Sequence, residues 1–183
     1  MRAEIRKLKQ SLQVNDLKTA AELIQKAHEQ IKNYPLLIAL EGIYYAEAGD
    51  LNRALSALAV ASQTMPRDPV LFYTIGAVLR AMRRLKAADE ALRKSLHLNP
   101  MNPFALYELA QVQTLQGKHN DAVFTLFKCI QNFSLFFPGY VALSQYLLMN
   151  NQKELVIRLY EAASAGAPGE QFFKDRLAEL KGL

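Results

Sequence analysis

The sequence predicts an all-α chain of antiparallel helix hairpins stacked one after another. Three observations carry this reading. Residues recur at an interval of 34 without slippage: Pro35, Pro69 and Pro103; Pro66 and Pro100, with Pro168 two intervals on; Ala20, Ala54, Ala88, Ala122 and Val156. Two further series keep the same phase, Ala27, Ala61, Ser95, Cys129, Ala163 and the small residues Gly42, Gly76, Ala110, Ser144. Within each interval, two segments carry apolar residues at helical spacing. Alternation of the strand kind never persists, and the connections are short.

The interval divides the chain into repeats 1–34, 35–68, 69–102, 103–136 and 137–170, with a capping helix over 171–183, all read as one domain, 1–183. The third repeat is the clearest. Its first helix is predicted from about Pro69 to Met82 and its second from about Leu85 to Leu98. Proline suits the first helical position, where an N–H has no intrahelical partner. The turn between the helices falls at Gly49, Gly117 and Asn150–Asn151, residues that tolerate a left-handed backbone. Arg83 stands there in the third repeat, which is less comfortable. The small series lets helix axes approach, so Gly42, Gly76 and Ala110 are expected to face Ala54, Ala88 and Ala122. The first repeat diverges most, with Arg2, Arg6, Lys7 and Lys9 on its first helix and Leu8 at the small position. One hairpin cannot bury its own apolar face, and stacking supplies the cover. The tail fits a cap: Phe172, Phe173, Leu177 and Leu180 can dock, while Lys174, Asp175, Arg176, Glu179 and Lys181 meet water.

Composition excludes several function classes. Hydrophobic residues make up 51% of the 183 and charged residues 21%, enough for a core and too apolar for disorder. The net charge of +5 is concentrated in the first hundred residues; a solvated surface is the expectation, and nucleic acid is not an expected partner. The single Cys129 permits no intrachain disulfide and reads as a small buried residue. The N-terminal stretch lacks the apolar run of a signal peptide, and no run of about 18 apolar residues offers a membrane span. A cytoplasmic location is therefore expected, or a segment of something longer. His28, His97 and His119 fall in different repeats with no second ligand at i+3 or i+4, so no metal is expected. There is no Gly-rich phosphate loop, and the carboxylates are scattered, most of them read as solvent-facing. No catalytic residue and no cofactor are assigned, and the chain is not read as an enzyme.

The residues at fixed places in the interval resemble the tetratricopeptide repeat (TPR) family over essentially the full length. The third repeat carries Phe72, Ile75, Gly76, Leu79, Ala88, Leu92, Ser95 and Pro100 at the family's places. The second carries Ile38, Gly42, Tyr45, Ala54, Leu58, Ala61 and Pro66, with Glu41 where leucine is usual. The fourth carries Leu106, Leu109, Ala110, Ala122, Leu126 and Cys129, but Gln113 and Ser134 depart from the pattern. The resemblance implies a right-handed superhelix whose concave wall is made by first helices. That wall would present Leu36, Ala39, Ile43 and Ala46, then Val70, Tyr73, Ala77 and Arg80. It would continue with Phe104, Tyr107, Gln111 and Thr114, then Pro138, Val141, Gln145 and Leu148, with Phe172 closing the end.

Such a wall suits an apolar peptide segment or a partner helix, with Tyr73, Phe104 and Tyr107 as anchors. The function this implies is a non-catalytic protein-interaction module, a chaperone or adaptor. Compact TPR chaperones of bacterial secretion systems have a similar aromatic groove, and a pilus- or envelope-assembly factor is a second setting. The alternatives are a self-associating structural scaffold and a TPR module cut from a larger protein. The groove could also hold the chain's own tail or a second copy. The family's carboxylate clamp is not matched, since Ala39, Ile43, Thr74, Phe104 and Glu108 stand at its positions. Arg83, Arg84 and Lys86 form a dense basic cluster. It reads first as a solvated turn and second as a docking patch for an acidic partner.

Overall fold

The computed structural model describes residues 2–30 and 34–182; residues 1, 31–33 and 183, and with them the predicted end of the first repeat, lie outside the described residues. The described residues form eleven helices. They are α1 (Arg2–Gln13), α2 (Leu17–Gln30), α3 (Pro35–Glu47), α4 (Leu51–Thr64), α5 (Pro69–Ala81), α6 (Leu85–Leu98), α7 (Pro103–Leu115), α8 (His119–Asn132), α9 (Phe137–Met149), α10 (Lys153–Gly166) and α11 (Gln171–Lys181). From α4 to α10 each helix begins 34 residues after its counterpart in the preceding repeat. No helix of the described residues is long and apolar enough to cross a membrane.

The local chemistry explains the ends of these helices. Pro35, Pro69 and Pro103 open α3, α5 and α7. Asp68 accepts from the backbone N–H groups of Val70 and Leu71 at 2.8 and 3.2 Å, and Asn102 does the same for Phe104 and Ala105 at 3.1 and 3.2 Å. At the other end, Asn15, Gly49, Arg83, Gly117 and Asn151 all adopt positive φ, between 55° and 82°. These five positions are again 34 apart. The N–H that follows the left-handed residue bonds back five residues in four of the turns: Asp16 to Ser11, Asp50 to Tyr45, Arg84 to Leu79 and Gln152 to Leu147, at 2.8–2.9 Å. This is the Schellman closure of a helix C-terminus. Arg83 therefore holds the strained conformation that its place in the repeat anticipates, with φ of 61°.

The chain divides into two compact units, Met1–Gly117 and Lys118–Leu183, at the turn inside the fourth repeat. In the first unit the core is a series of three clusters. Leu8, Ala20, Ile24, Ala27, Leu37 and Leu40 join α1, α2 and α3. Ala39, Ala54, Leu58, Ala61, Leu71 and Val78 join α3, α4 and α5. Leu79, Ala88, Leu92, Leu109 and Val112 join α5, α6 and α7. Each hairpin is thus roofed by the first helix of the next, as stacking requires.

The small residues act somewhat differently from the expectation. A Cβ on Gly42 would stand 2.7 Å from Leu58 Cγ, and one on Gly76 would stand 2.5 Å from Leu92 Cγ. The glycines face these leucines, one helical turn beyond the anticipated alanines Ala54 and Ala88; the backbone of Ala88 is the next neighbour, with its carbonyl oxygen 3.4 Å away. The missing Cβ makes a hole that a fully buried leucine fills. Burying each leucine contributes about 1.5–3 kcal/mol.

In the second unit the same register pairs Ser144 with Tyr160. The Ser144 hydroxyl donates to the Tyr140 carbonyl at 2.6 Å and exchanges a hydrogen bond with Tyr160 Oη at 3.1 Å. Helix α11 caps this unit through Phe173, which is fully buried against Tyr140 with ring centroids 4.9 Å apart. Cys129 is fully buried, and burial pushes its thiol up to about 11.

Three outcomes follow from this packing. Gly76→Val should lower stability by roughly 1–3 kcal/mol in a denaturant titration, and pairing it with Leu92→Ala should cost less than the two separate losses combined. Arg83→Gly should raise the unfolding free energy by up to about 1 kcal/mol, whereas Gly49→Ala should lower it by a similar amount, both read from denaturant titration. Cys129 should react with a thiol reagent at pH 8 at a rate set by opening of the fold, and at full speed once the chain is denatured. Rapid labelling of the native chain would contradict its burial.

Candidate functional site

In the first unit the first helices of the repeats lie side by side, α1 against α3, α3 against α5 and α5 against α7. Residues from neighbouring repeats meet on them. Tyr73 of α5 and Phe104 of α7 hold their rings 6.4 Å apart at a tilt of 55°. Seven residues after Tyr73, two turns along the same face, the Arg80 guanidinium reaches Glu108 of α7 through two bonds. Nε donates to Oε2 at 2.5 Å and Nη2 donates to Oε1 at 3.3 Å. The two side chains are 32% and 12% exposed. A forked pair of this kind is geometrically specific. It is also expensive to break from one side, because the other charge is left with little water.

The aromatic and charged parts act on one another. The Tyr73 phenol is raised above its ordinary range, first by burial and then by the nearby Glu108 and Glu47 carboxylates, with Arg80 pulling the other way. It stays neutral at physiological pH and remains a hydrogen-bond donor beside an apolar ring. Val70 and Phe104, at the start of α5 and α7, are 54% and 57% exposed. Ala77, Tyr107 and Gln111 are half-buried between these ends. The result is a wall with an aromatic upper part and a fixed ion pair below it.

The other expected wall residues have contacts of their own. Ala39 is buried in the core cluster that joins α3, α4 and α5, and Leu36 and Ile43 pack against the first cluster. Val141 and Gln145 lie on α9 in the second unit, where they line a recess of about 230 Å3 with Leu148, Tyr160 and Arg176. Phe172 stacks on Phe137 at 4.5 Å and lies under the Arg176 guanidinium at 5.8 Å, so it belongs to the aromatic packing of the cap. Arg83, Arg84 and Lys86 are exposed at the turn between α5 and α6. Glu108 is an exception among the carboxylates, most of which are expected to face solvent. The signal was present in the sequence as an arginine at the twelfth place of one repeat and a glutamate at the sixth of the next, which parallel neighbouring helices bring together. Glu41 is similar: standing where leucine is usual, it takes His28 Nε2 at 3.2 Å and the Tyr45 hydroxyl at 3.3 Å.

No protein-family profile matches the chain. It is similar to human Superkiller complex protein 3, 24% identical over 150 residues, a match covering 80% of this chain and 10% of that protein. The chain thus spans about a tenth or less of the length of the curated relatives it matches. Among solved structures it is similar to TTC0263, a thermophilic TPR protein of Thermus thermophilus. The TM-score is 0.76 at 18% identity, covering 100% of this chain and 99% of that one. It is also similar to YrrB, a TPR protein with an unusual peptide-binding site, with a TM-score of 0.65 at 17% identity over 94% of this chain and 89% of that one. Helices of fixed length at a fixed interval, left-handed turns in phase and these structural likenesses agree: the chain has the tetratricopeptide-repeat solenoid fold.

Proposed function

We propose that the chain is a non-catalytic protein-interaction module that takes an apolar peptide segment or a partner helix on the wall formed by α5 and α7. One observation carries this reading. Tyr73 and Phe104 present a tilted aromatic pair beside the forked Arg80–Glu108 ion pair, all on one face made by two repeats. Aromatic side chains bring large contact area at small entropic cost, and they dominate interface energies. The ion pair supplies direction. Arg80 keeps N–H groups beyond those bonded to Glu108 and can offer one to a partner carbonyl, such as the free end of a helix. The fold shared with a TPR protein that has a peptide-binding site supports the same reading.

A self-associating scaffold is the second reading, favoured by the exposed Val70 and Phe104 at the repeat starts. The two separate by mass. Light scattering of the isolated chain should give a monomer across a wide concentration range; mass that grows with concentration would favour the scaffold.

The direct test is selection of apolar peptides from a displayed library on the intact chain. Tyr73→Leu with Phe104→Ala should reduce their binding by roughly 100-fold, since two interface aromatics are each worth ~1–2 kcal/mol. The melting curve should change little, because leucine keeps the buried part of Tyr73 packed. Unaltered binding by this variant would sink the proposal.

A further inference from the structure

The second unit carries a groove whose walls are second helices of the repeats, not the first helices that would form a concave wall. Helices α8 and α10 occupy the same place in consecutive repeats, and α9 forms the floor beneath them with Leu143 and Leu147. The groove encloses about 550 Å3. Its lining runs from Val123 to Ser134 beside α8 and from Leu155 to Ala167 beside α10, a length of about 16–18 Å at the helical rise. Phe127 and Leu155 on its walls are each 47% exposed. Arg158 is the only charged side chain in the lining. It is exposed, and among the described residues it has no ion-pair partner; Glu161, one turn on, is held by Lys181 at 2.7 Å.

We infer that this groove docks an amphipathic helix of about three turns from a partner protein, apolar on the docked face and carrying a carboxylate that meets Arg158. Three physical arguments select this occupant. Most of the walls is helix interior whose backbone groups are already bonded, so along most of its length an extended peptide would find no partners for its own N–H and C=O groups; only the last turns of α8 and α10 leave carbonyls free of intrahelical bonds. A helix arrives with those groups satisfied. The groove is open along one side, where an acyl chain would stay wet and a helix would turn its polar face to water. At the end lined by Ala162, Ala163 and Gly166 the walls are low enough for a helix axis to approach closely, while Phe127, Leu155 and Leu159 grip its other end. Arg158 then sets the sign of the partner. A lone guanidinium at the rim of an apolar groove favours an acidic neighbour and disfavours a basic one.

The test uses stapled, fluorescein-labelled 14-residue helical peptides with leucines at i, i+3, i+4 and i+7 and one flanking glutamate. A twin carries lysine in place of the glutamate, and a third has the leucines scrambled around the helix. Fluorescence anisotropy is measured on the intact chain. The glutamate peptide should bind roughly five- to tenfold more tightly than its lysine twin at low salt. Arg158→Glu should invert that preference. Phe127→Glu should abolish binding of both without changing the melting curve, with Leu155→Lys as an independent second variant at an exposed position. Tyr73→Leu with Phe104→Ala should leave the binding unchanged, which separates this site from the wall of the first unit. Any of four results would overturn the inference: no binding of the glutamate peptide, equal binding of the twins, binding that survives both wall variants, or equal binding of the scrambled peptide. Saturable uptake of cis-parinaric acid that Phe127→Glu removes, with no peptide binding, would make the groove an acyl site instead. Concentration-dependent mass that Phe127→Glu abolishes would assign it to a second copy of the chain.

Discussion

The seating of Leu58 over Gly42 and of Leu92 over Gly76 sets the distance between the two helices of a hairpin. Everything outside the hairpin depends on that distance. With the helices close, the alanine series can be fully buried, and the first helix of the next repeat can lie across both. The face left over on each first helix then meets its counterpart in the neighbouring repeat. That is how Tyr73 comes to Phe104 and Arg80 to Glu108, pairs separated by about thirty residues of sequence. A wider hairpin would move α7 relative to α5, and the forked geometry of the ion pair would be lost with it.

Much of the fold was legible because its causes are local and repeated. Proline at a helix start, a left-handed residue at a helix end and a small residue at a crossing each have one physical meaning, and their three, five and four copies in phase reinforce one another. The limits of legibility were of two kinds. The partner of Gly76 was misjudged by one turn, because sequence spacing names the face of a helix but not which side chain fills the hole opposite. Glu108 did not stand out from the other carboxylates, because only the placement of a neighbouring repeat shows which charge is covered.

The candidate sites were less legible than the fold for a related reason. A groove residue and a core residue share the same chemistry, and a shift of one residue around the helix decides between them. Ala39 and Phe172 were grouped with Tyr73, yet the first is in a core cluster and the second is stacked within the cap. The groove between α8 and α10 was invisible in the sequence. Its lining is ordinary apolar repeat residues, and it exists because Ala162, Ala163 and Gly166 are too small to close the gap that Phe127 and Leu155 begin.

The three clusters of the first unit have a consequence for how such a chain can change. Helix α3 contributes Leu37 and Leu40 to one cluster and Ala39 to the next; α5 contributes Leu71 and Val78 to one and Leu79 to the next. Each of these helices is a hinge pin with two dissimilar sides, and no residue outside adjacent repeats is needed to complete a cluster. A repeat can therefore be gained or lost by a whole interval with both new neighbours finding matching surfaces. A shorter change inside such a helix would turn its two sides away from their clusters.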